Sequence, residues 1–374
     1  MANLWILDSF DIWDQSHPRS KWQLVADPAS LAVSALYGRN GGGLRLLTGG
    51  TYLGAAGRDD GLAASACAML ESIFRPSGTW TIGFAFKFMD IAPIGTHPIC
   101  SIISSLPPFE DFLGTYRASY ISLYFCPDQR LRFVHGDFRT PSYRKDFGPP
   151  LRRGVYYYIE WQTTISAGGN IAGWIDGEPL VNEGQDLSRS IIGVPLGAPD
   201  GVRFFFHKGS VGGGRNARYY YLDDVYVTDT ARFSDVTVDS FRPDGVGNSS
   251  QWTPNTIGFP NYTYVDDLTP DDDNTNLTAA AGLTDTYAHS IPVETGGAVH
   301  GIDINVSNYN KVFDDGYLAA VVRQSGSDDV GPAKLMGTIS YVYAQTGYLL
   351  NPHTGVAFTQ AELAADEFGF KRLT

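Results

Sequence analysis

Apolar and polar residues alternate with a period of two through much of the chain. The clearest case is WTIGFAFKFMD, from Trp80 to Asp90. Trp80, Ile82, Phe84, Phe86 and Phe88 share one parity, and Thr81, Gly83, Ala85 and Lys87 take the other. Successive side chains on a strand point to opposite faces, so the spacing predicts a strand with one apolar face. VYYYIEWQTTI, from Val155, behaves alike. Val155, Tyr157, Ile159 and Trp161 are expected inward, and Tyr156, Tyr158, Glu160 and Gln162 outward. NIAGWIDGEPLV reads as a hairpin, because Asp176-Gly177 tolerates the positive φ that a two-residue turn needs. Strands are also expected at GGGLRLLTGG, PICSIISS, YISLYFC, RLRFVHG, VRFFFHK and YYYLDDVYVTD. AASACAMLESIF has helix-favouring alanines, but its place between strands makes it a strand. So many short strands without intervening helices predict an antiparallel sandwich over residues 1–230.

TDTARFSDVTVDSFRPDGVGNSS reads as a junction, and residues 231–374 as a second β-rich unit. Its strands are expected at DTYAHSI, AVHGIDINVSNYN, GYLAAVVRQSG and ISYVYAQTGYLL. TQAELAADEFGF differs. Thr359 with Glu362 three residues on matches a capping box, and Gly369 would stop the helix. A final short strand follows at FKRL. The expected architecture is all-β: two β-sandwich domains, 1–230 and 231–374, with one short C-terminal helix.

Composition agrees with a packed core, with 43% hydrophobic and 18% charged residues in 374. The net charge of −13 argues against a nucleic-acid partner and against an anionic lipid surface. Neutral sugars and other proteins stay open as partners. The opening MANLWILDSFDIWD has no basic n-region or long apolar run, so neither a secretory signal nor a membrane-inserted segment is expected. Cys67, Cys100 and Cys126 have no CxxC spacing and read as buried thiols.

The chemistry-bearing residues are sparse. Asp223 and Asp224 are neighbours on a strand, so alternation sends them to opposite faces and makes them structural. A glycosidase needs facing carboxylates, and no Glu-X-Asp-X-Glu triplet occurs. Carboxylates from different strands stay open, with Glu160 beside Asp176 or Asp128 as candidates. The acidic loop Asp266, Asp267, Asp271, Asp272 and Asp273 lacks EF-hand spacing and reads as a solvated turn. No HxH, HExxH, GxSxG or P-loop pattern occurs, so no metal, cofactor or catalytic residue is expected. Tyr156, Tyr158, Glu160 and Gln162 form the one candidate ligand site, since aromatic rings beside hydrogen-bonding groups suit sugar faces or a subunit contact.

WTIGFAFKF, YYYIEWQTTI…GWIDGEPLV and YYYLDDVYVTD together resemble the concanavalin A-like (laminin-G-type) jelly roll. RPDGVGNSSQWTP and NPHTGVAFTQAELAADEFGFKRL resemble segments of tailed-bacteriophage structural proteins, with Phe358 where that pattern often has Trp. The resemblance implies a non-enzymatic virion protein of a tail, fibre or capsid surface. Its implied partners are other virion proteins and copies of itself, with host cell-surface glycans left open as a third. A ligand-free cement protein and a polysaccharide depolymerase are the alternatives.

Overall fold

In the computed structural model the chain is described over residues 4–8, 23–24, 31–34, 36, 38–39, 43–48, 67–73, 78–89, 97–104, 119–136, 141–188, 199–207, 218–229, 232–256, 258–267, 274–291, 297–308, 316–336 and 342–374. The described elements are nearly all strands, as alternation predicts. The first part contains β1 (Leu4–Asp8), β2 (Gln23–Leu24), β3 (Leu31–Ser34), β4 (Gly43–Thr48), β5 (Cys67–Ile73), β6 (Thr79–Phe88), β7 (His97–Ser104) and β8 (Ser119–Phe125). It continues with β9 (Leu131–Gly136), β10 (Pro141–Phe147), β11 (Tyr157–Thr164), β12 (Gly169–Ile175), β13 (Glu178–Gln185), β14 (Pro199–His207) and β15 (Arg218–Thr228). The ambiguous alanine-rich stretch is a strand, β5.

These strands form two antiparallel sheets. One runs β13-β12-β11-β6-β15-β4-β3, with β1 also on β15, and the other runs β10-β9-β8-β7-β14-β5-β2. They pack face to face as a jelly-roll sandwich. Trp80, Ile82, Phe84, Phe86, Ile159 and Trp161 come from one sheet, and Ile102, Leu123, Phe125, Phe133 and Phe204 from the other. Phe84 meets Phe204 edge to face with centroids 5.2 Å apart, and Phe133 stacks on Phe147 at 4.9 Å. Such contacts set the spacing of the layers and add to the area each ring buries. Cys100 and Cys126 are buried thiols outside any disulfide, as expected of them, and the side chain of Cys67 lies outside those described. Asp176 and Gly177 take φ of 50° and 81°, giving the turn that Asp-Gly predicts between β12 and β13.

The second part contains β16 (Gly245–Ser250), β17 (Thr253–Pro254), β18 (Leu277–Thr278), β19 (Thr284–Ala288), β20 (Ile302–Asn308), β21 (Tyr317–Gln324), β22 (Ser327–Val330), β23 (Lys334–Leu335), β24 (Val342–Tyr348), α1 (Gln360–Ala365) and β25 (Glu367–Arg372). One sheet runs β16-β19-β25-β21-β22 with β23 also on β21, and β20-β24 form a separate ribbon. Val322, Phe358, Leu363 and Phe368 make the small core, with Ile302, Ile304 and Tyr348 packed on it. Helix α1 starts at the capping box foreseen: Thr359 Oγ1 accepts from Glu362 N, and the Glu362 side chain accepts from Thr359 N.

The SQWTP stretch has a structural role. Asp285 is fully buried and accepts from Gln251 N (2.6 Å), Trp252 N (3.1 Å), Asn261 Nδ2 (2.8 Å) and Tyr287 Oη (3.0 Å). Gly369 passes so close that an added Cβ would lie 1.9 Å from Asp285 O, so only glycine fits there. These motif residues are absorbed by the fold of the second part.

The two parts touch. The β24 residue Gly347 has no room for a Cβ because Leu4 O of β1 would lie 2.4 Å from it. Phe233 stacks on His300 with centroids 5.1 Å apart.

Candidate functional site

The two outer faces of the sandwich are built differently. On the eight-stranded sheet, residues 232–240 lie as a strap across β11, β6 and β15. Phe233 and Val236 pack on Ala85, Tyr158 and Tyr226. Tyr226 in turn fills the space above Gly83, whose added Cβ would lie 2.1 Å from the ring. Two carboxylates anchor this strap from below. Glu160 is 1% exposed and accepts from Tyr226 Oη (2.5 Å), Ser234 N (2.8 Å) and Arg232 Nη1 (3.1 Å). Asp224 is equally buried and accepts from Val238 N (2.7 Å) and Arg39 Nε (3.0 Å).

The candidate sugar-facing residues sit here. Tyr156, Tyr158, Glu160 and Gln162 do point away from the core, as parity requires, but the face they share is covered. Tyr158 is buried and donates from its hydroxyl to Asp224 O at 3.1 Å. Gln162 donates to Thr81 Oγ1, and Lys87 Nζ lies 4.1 Å above the Tyr156 ring. The structure places Tyr158 and Glu160 beneath the strap, with Tyr156 packed against them, and leaves Gln162 part-exposed beside Thr81. The sequence signal was present in RFSDVTV, where Phe233, Val236 and Val238 are apolar residues in a segment otherwise read as a junction.

The expectation for Asp223 and Asp224 is corrected as well. The register of β15 on β6 shifts between Asp223 and Tyr226, and Asp224 has φ of 50°. A β-bulge inserts one residue and rotates the chain, so alternation fails there. Both carboxylates therefore reach one residue: Arg39 N donates to Asp223 Oδ2 at 2.6 Å, and Arg39 Nε to Asp224 Oδ2. The pair converges on one arginine, Asp223 on its backbone N–H and Asp224 on its part-exposed guanidinium. Arg39 also binds Asp235 and donates to Val236 O at 2.5 Å.

Burial sets the electrostatics of this layer. Desolvation lifts Asp224 to about 6, against the hydrogen bond from Val238 and the charge of Arg39. It lifts Glu160 too, against the hydrogen bond from Tyr226 and the charge of Arg232. The candidate acids for hydrolysis do not meet across a cleft. Glu160 is beneath the strap, Asp176 accepts from Tyr158 N in the β12–β13 turn, and exposed Asp128 lies beside Arg130.

The outer face of the seven-stranded sheet differs. Its floor is small: Ser101 and Ser122 share a 2.5 Å hydroxyl hydrogen bond beside Val134. Its β8–β10 side is larger and polar. Asp146 faces Arg132 in register, and Arg132 faces Tyr124, so a carboxylate, a guanidinium and a phenol follow one another across three strands. Arg132 Nε binds Asp146 Oδ1, and this hydrogen bond holds the Asp146 carboxyl below its ordinary range. Arg144, two residues before Asp146 on β10, is exposed. On the opposite, core-facing side of β10, Lys145 Nζ lies 2.5 Å from Glu183 of β13, which also accepts from Tyr143 Oη at 3.2 Å, so this pair ties the two sheets together.

A polar cleft of about 460 Å³ lies in the second part, between the β21–β22 turn and α1. Its charged groups are mutually engaged: Arg323 holds Asp328 through two nitrogens, and Glu367 takes Asn248 N and Thr286 Oγ1. Among the described residues, no group of three or more His, Cys, Asp or Glu side chains could hold a metal ion. Of the acidic loop, Asp271, Asp272 and Asp273 lie outside the described residues, and Asp267 accepts from Thr275 Oγ1.

No family model and no curated protein matches the chain. Solved structures do. The chain is similar to an endo-β-1,4-glucuronan lyase from the fungus Trichoderma reesei (17% identity, 54% of this chain and 87% of that one, TM-score 0.38). It is also similar to the alginate lyase Aly36B (11% identity, 64% and 98%, TM-score 0.39) and to the cellulose-induced protein Cip1 (13%, 60% and 97%, TM-score 0.40). Polysaccharide lyases among the similar structures overturn the expectation of a non-enzymatic virion structural protein, and with it the assignment as a non-enzyme. The likeness to these structures is one of fold.

Proposed function

We propose that the chain is a polysaccharide depolymerase whose substrate lies across the outer face of the seven-stranded sheet. The observation that carries this reading is the row Asp146–Arg132–Tyr124. A phenol can stack on a pyranose ring or relay a proton, and a guanidinium fixed by a neighbouring carboxylate presents its remaining donors in a set plane. Asp146 is the one carboxylate among the described strand side chains of this face, and Arg132 holds it in its charged form. Paired-acid hydrolysis is therefore poorly served, since it needs a second carboxyl that can donate a proton.

Elimination at a uronic acid fits better. A cation beside the uronate carboxylate makes the neighbouring C–H more acidic. A base takes that proton, its electron pair forms a C=C bond, and the glycosidic C–O bond breaks, with a proton passing to the departing oxygen. Arg132 and Arg144 suit the carboxylate, and Tyr124 the proton transfer. The resemblance of the second part to tailed-phage proteins supports a virion location and a substrate on the bacterial surface.

The test is incubation of the purified chain with uronate-containing and neutral polysaccharides. Shortened uronate chains with a new ultraviolet-absorbing double bond are expected, with loss of both signals in Arg132→Ala. New reducing ends without that absorbance would replace elimination with hydrolysis. No shortening of any glycan would overturn the proposal.

A further inference from the structure

The corner where β6 ends and β11 begins carries cations with no anion against them. Arg152, Arg153, Gly154 and Val155 form a turn. Val155 N donates to Arg152 O (3.4 Å), and Gly154 takes φ of 75°, which suits glycine at the third place of a turn. Two further bonds fix it: Gly154 N donates to Phe88 O (2.8 Å) and Arg152 N to Tyr157 Oη (2.9 Å). Both arginines are exposed, and so are Met89 and Val155 beside them. Lys87, two residues before Met89, is part-buried. Its Nζ lies 4.1 Å from the centre of the Tyr156 ring and 4.6 Å from that of Tyr221.

Among the described residues, the side chains of Lys87, Arg152 and Arg153 make no hydrogen bond or ion pair. Elsewhere Arg39, Arg130, Arg132, Lys145, Arg232 and Arg323 each hold a carboxylate. The carboxylate whose charge reaches Lys87 is Asp223, and its oxygens already accept from Arg39 N and Asp224 N. Ring faces attract an ammonium but give it no oxygen to bond. Such cations on a chain of net charge −13 offer their donors to an anionic ligand. The corner also lies at the same end of the sandwich as the row Asp146–Arg132–Tyr124. Leu151, just before the turn, donates from N to Gln129 O in the β8–β9 turn, and the row stands one register pair from that turn.

We infer that Lys87, Arg152 and Arg153 form a second, non-catalytic binding site for an acidic polysaccharide, holding the carboxylates of a chain that passes over this end of the sandwich from the cleavage face. The guanidinium fork suits a carboxylate, and Met89 and Val155 offer apolar contact to the C–H faces of the sugar. The ligand class rests on the proposed function, whereas the site rests on the unpaired cations.

The test is retention of the full chain in gels that contain a uronate polymer, with cleavage of that polymer and of short uronate oligosaccharides measured alongside. Arg152→Ser with Arg153→Ser should weaken retention about fivefold, the scale of two exposed charge contacts. It should raise KM for the polymer and leave kcat and oligosaccharide cleavage unchanged. Lys87→Gln should weaken retention further. Lys334→Gln removes one charge from β23 and should leave it unchanged. Full retention of the double variant, or an equal loss in Lys334→Gln, would overturn the site. So would a natural chain retained by no acidic polymer. A dimer lost in the double variant without change in retention would replace the glycan with a second copy of the chain. Retention of the natural chain that the double variant loses, with no cleavage by either, would support the site while removing the depolymerase reading.

Discussion

The two outer faces of one sandwich carry comparable polar residues and put them to different uses. On the eight-stranded sheet, Glu160 and Asp224 are buried and hydrogen-bonded to groups of the same chain. On the seven-stranded sheet, Arg144 and Asp146 stand exposed on a rim above a floor of serines. A saturated polar layer behaves as core, because removing one member strands its partners without water. On the other face Asp146 and Arg144 reach solvent, while Arg132 and Tyr124 are part-buried between them and a buried floor. The lesson is that a carboxylate or tyrosine beside a strand says little until its covering is known.

Four substitutions would break or sharpen this contrast. Glu160→Ala strips the acceptor from a part-exposed guanidinium, a buried hydroxyl and an N–H, and it should cost about 2–5 kcal/mol in denaturant unfolding, mostly from the two stranded donors. It should do so without a specific effect on glycan binding at temperatures where the protein stays folded. Gly83→Ala forces Tyr226 off its seat and should cost about 1–3 kcal/mol, the usual penalty of overpacking. Tyr158→Phe removes a single hydroxyl bond to Asp224 O, so thermal melting should report about 1 kcal/mol. Arg144→Ala is the opposite case, with unfolding unchanged within about 0.5 kcal/mol and affinity for acidic glycans reduced. A large stability loss at Arg144, or none at Glu160, would erase the distinction between the faces.

Much of the fold was legible from alternation. WTIGFAFKF and YYYIEWQTT are β6 and β11, paired in register with their large apolar residues inward. The capping box at Thr359 and the Asp176-Gly177 turn were legible because each is local, involving residues no more than three apart. What escaped was non-local. The cover over Tyr158 and Glu160 comes from residues 232–240, and its anchor Arg39 lies 185 positions from Asp224. Alternation also failed at the single bulge of β15, where an aspartate takes positive φ. Parity cannot report an inserted residue, because the pattern on either side stays apolar. The row Asp146–Arg132–Tyr124 was missed for a related reason. Its members lie on three strands, and each strand alone looks ordinary.

The placement of β1 governs the order of assembly. Leu4 pairs with Thr228, and its backbone also lies against Gly347. The earliest described residues of the chain thus dock on partners made long after them. During synthesis, β1 has no strand to pair with until β15 has emerged. The sandwich cannot close before residue 228 has emerged, and the seam with β24 waits for more. Contacts so distant along the chain slow folding, because a long loop must be restrained before it gains anything. Refolding is therefore expected to be slow and to finish at this seam, with β1 the last strand to acquire protection.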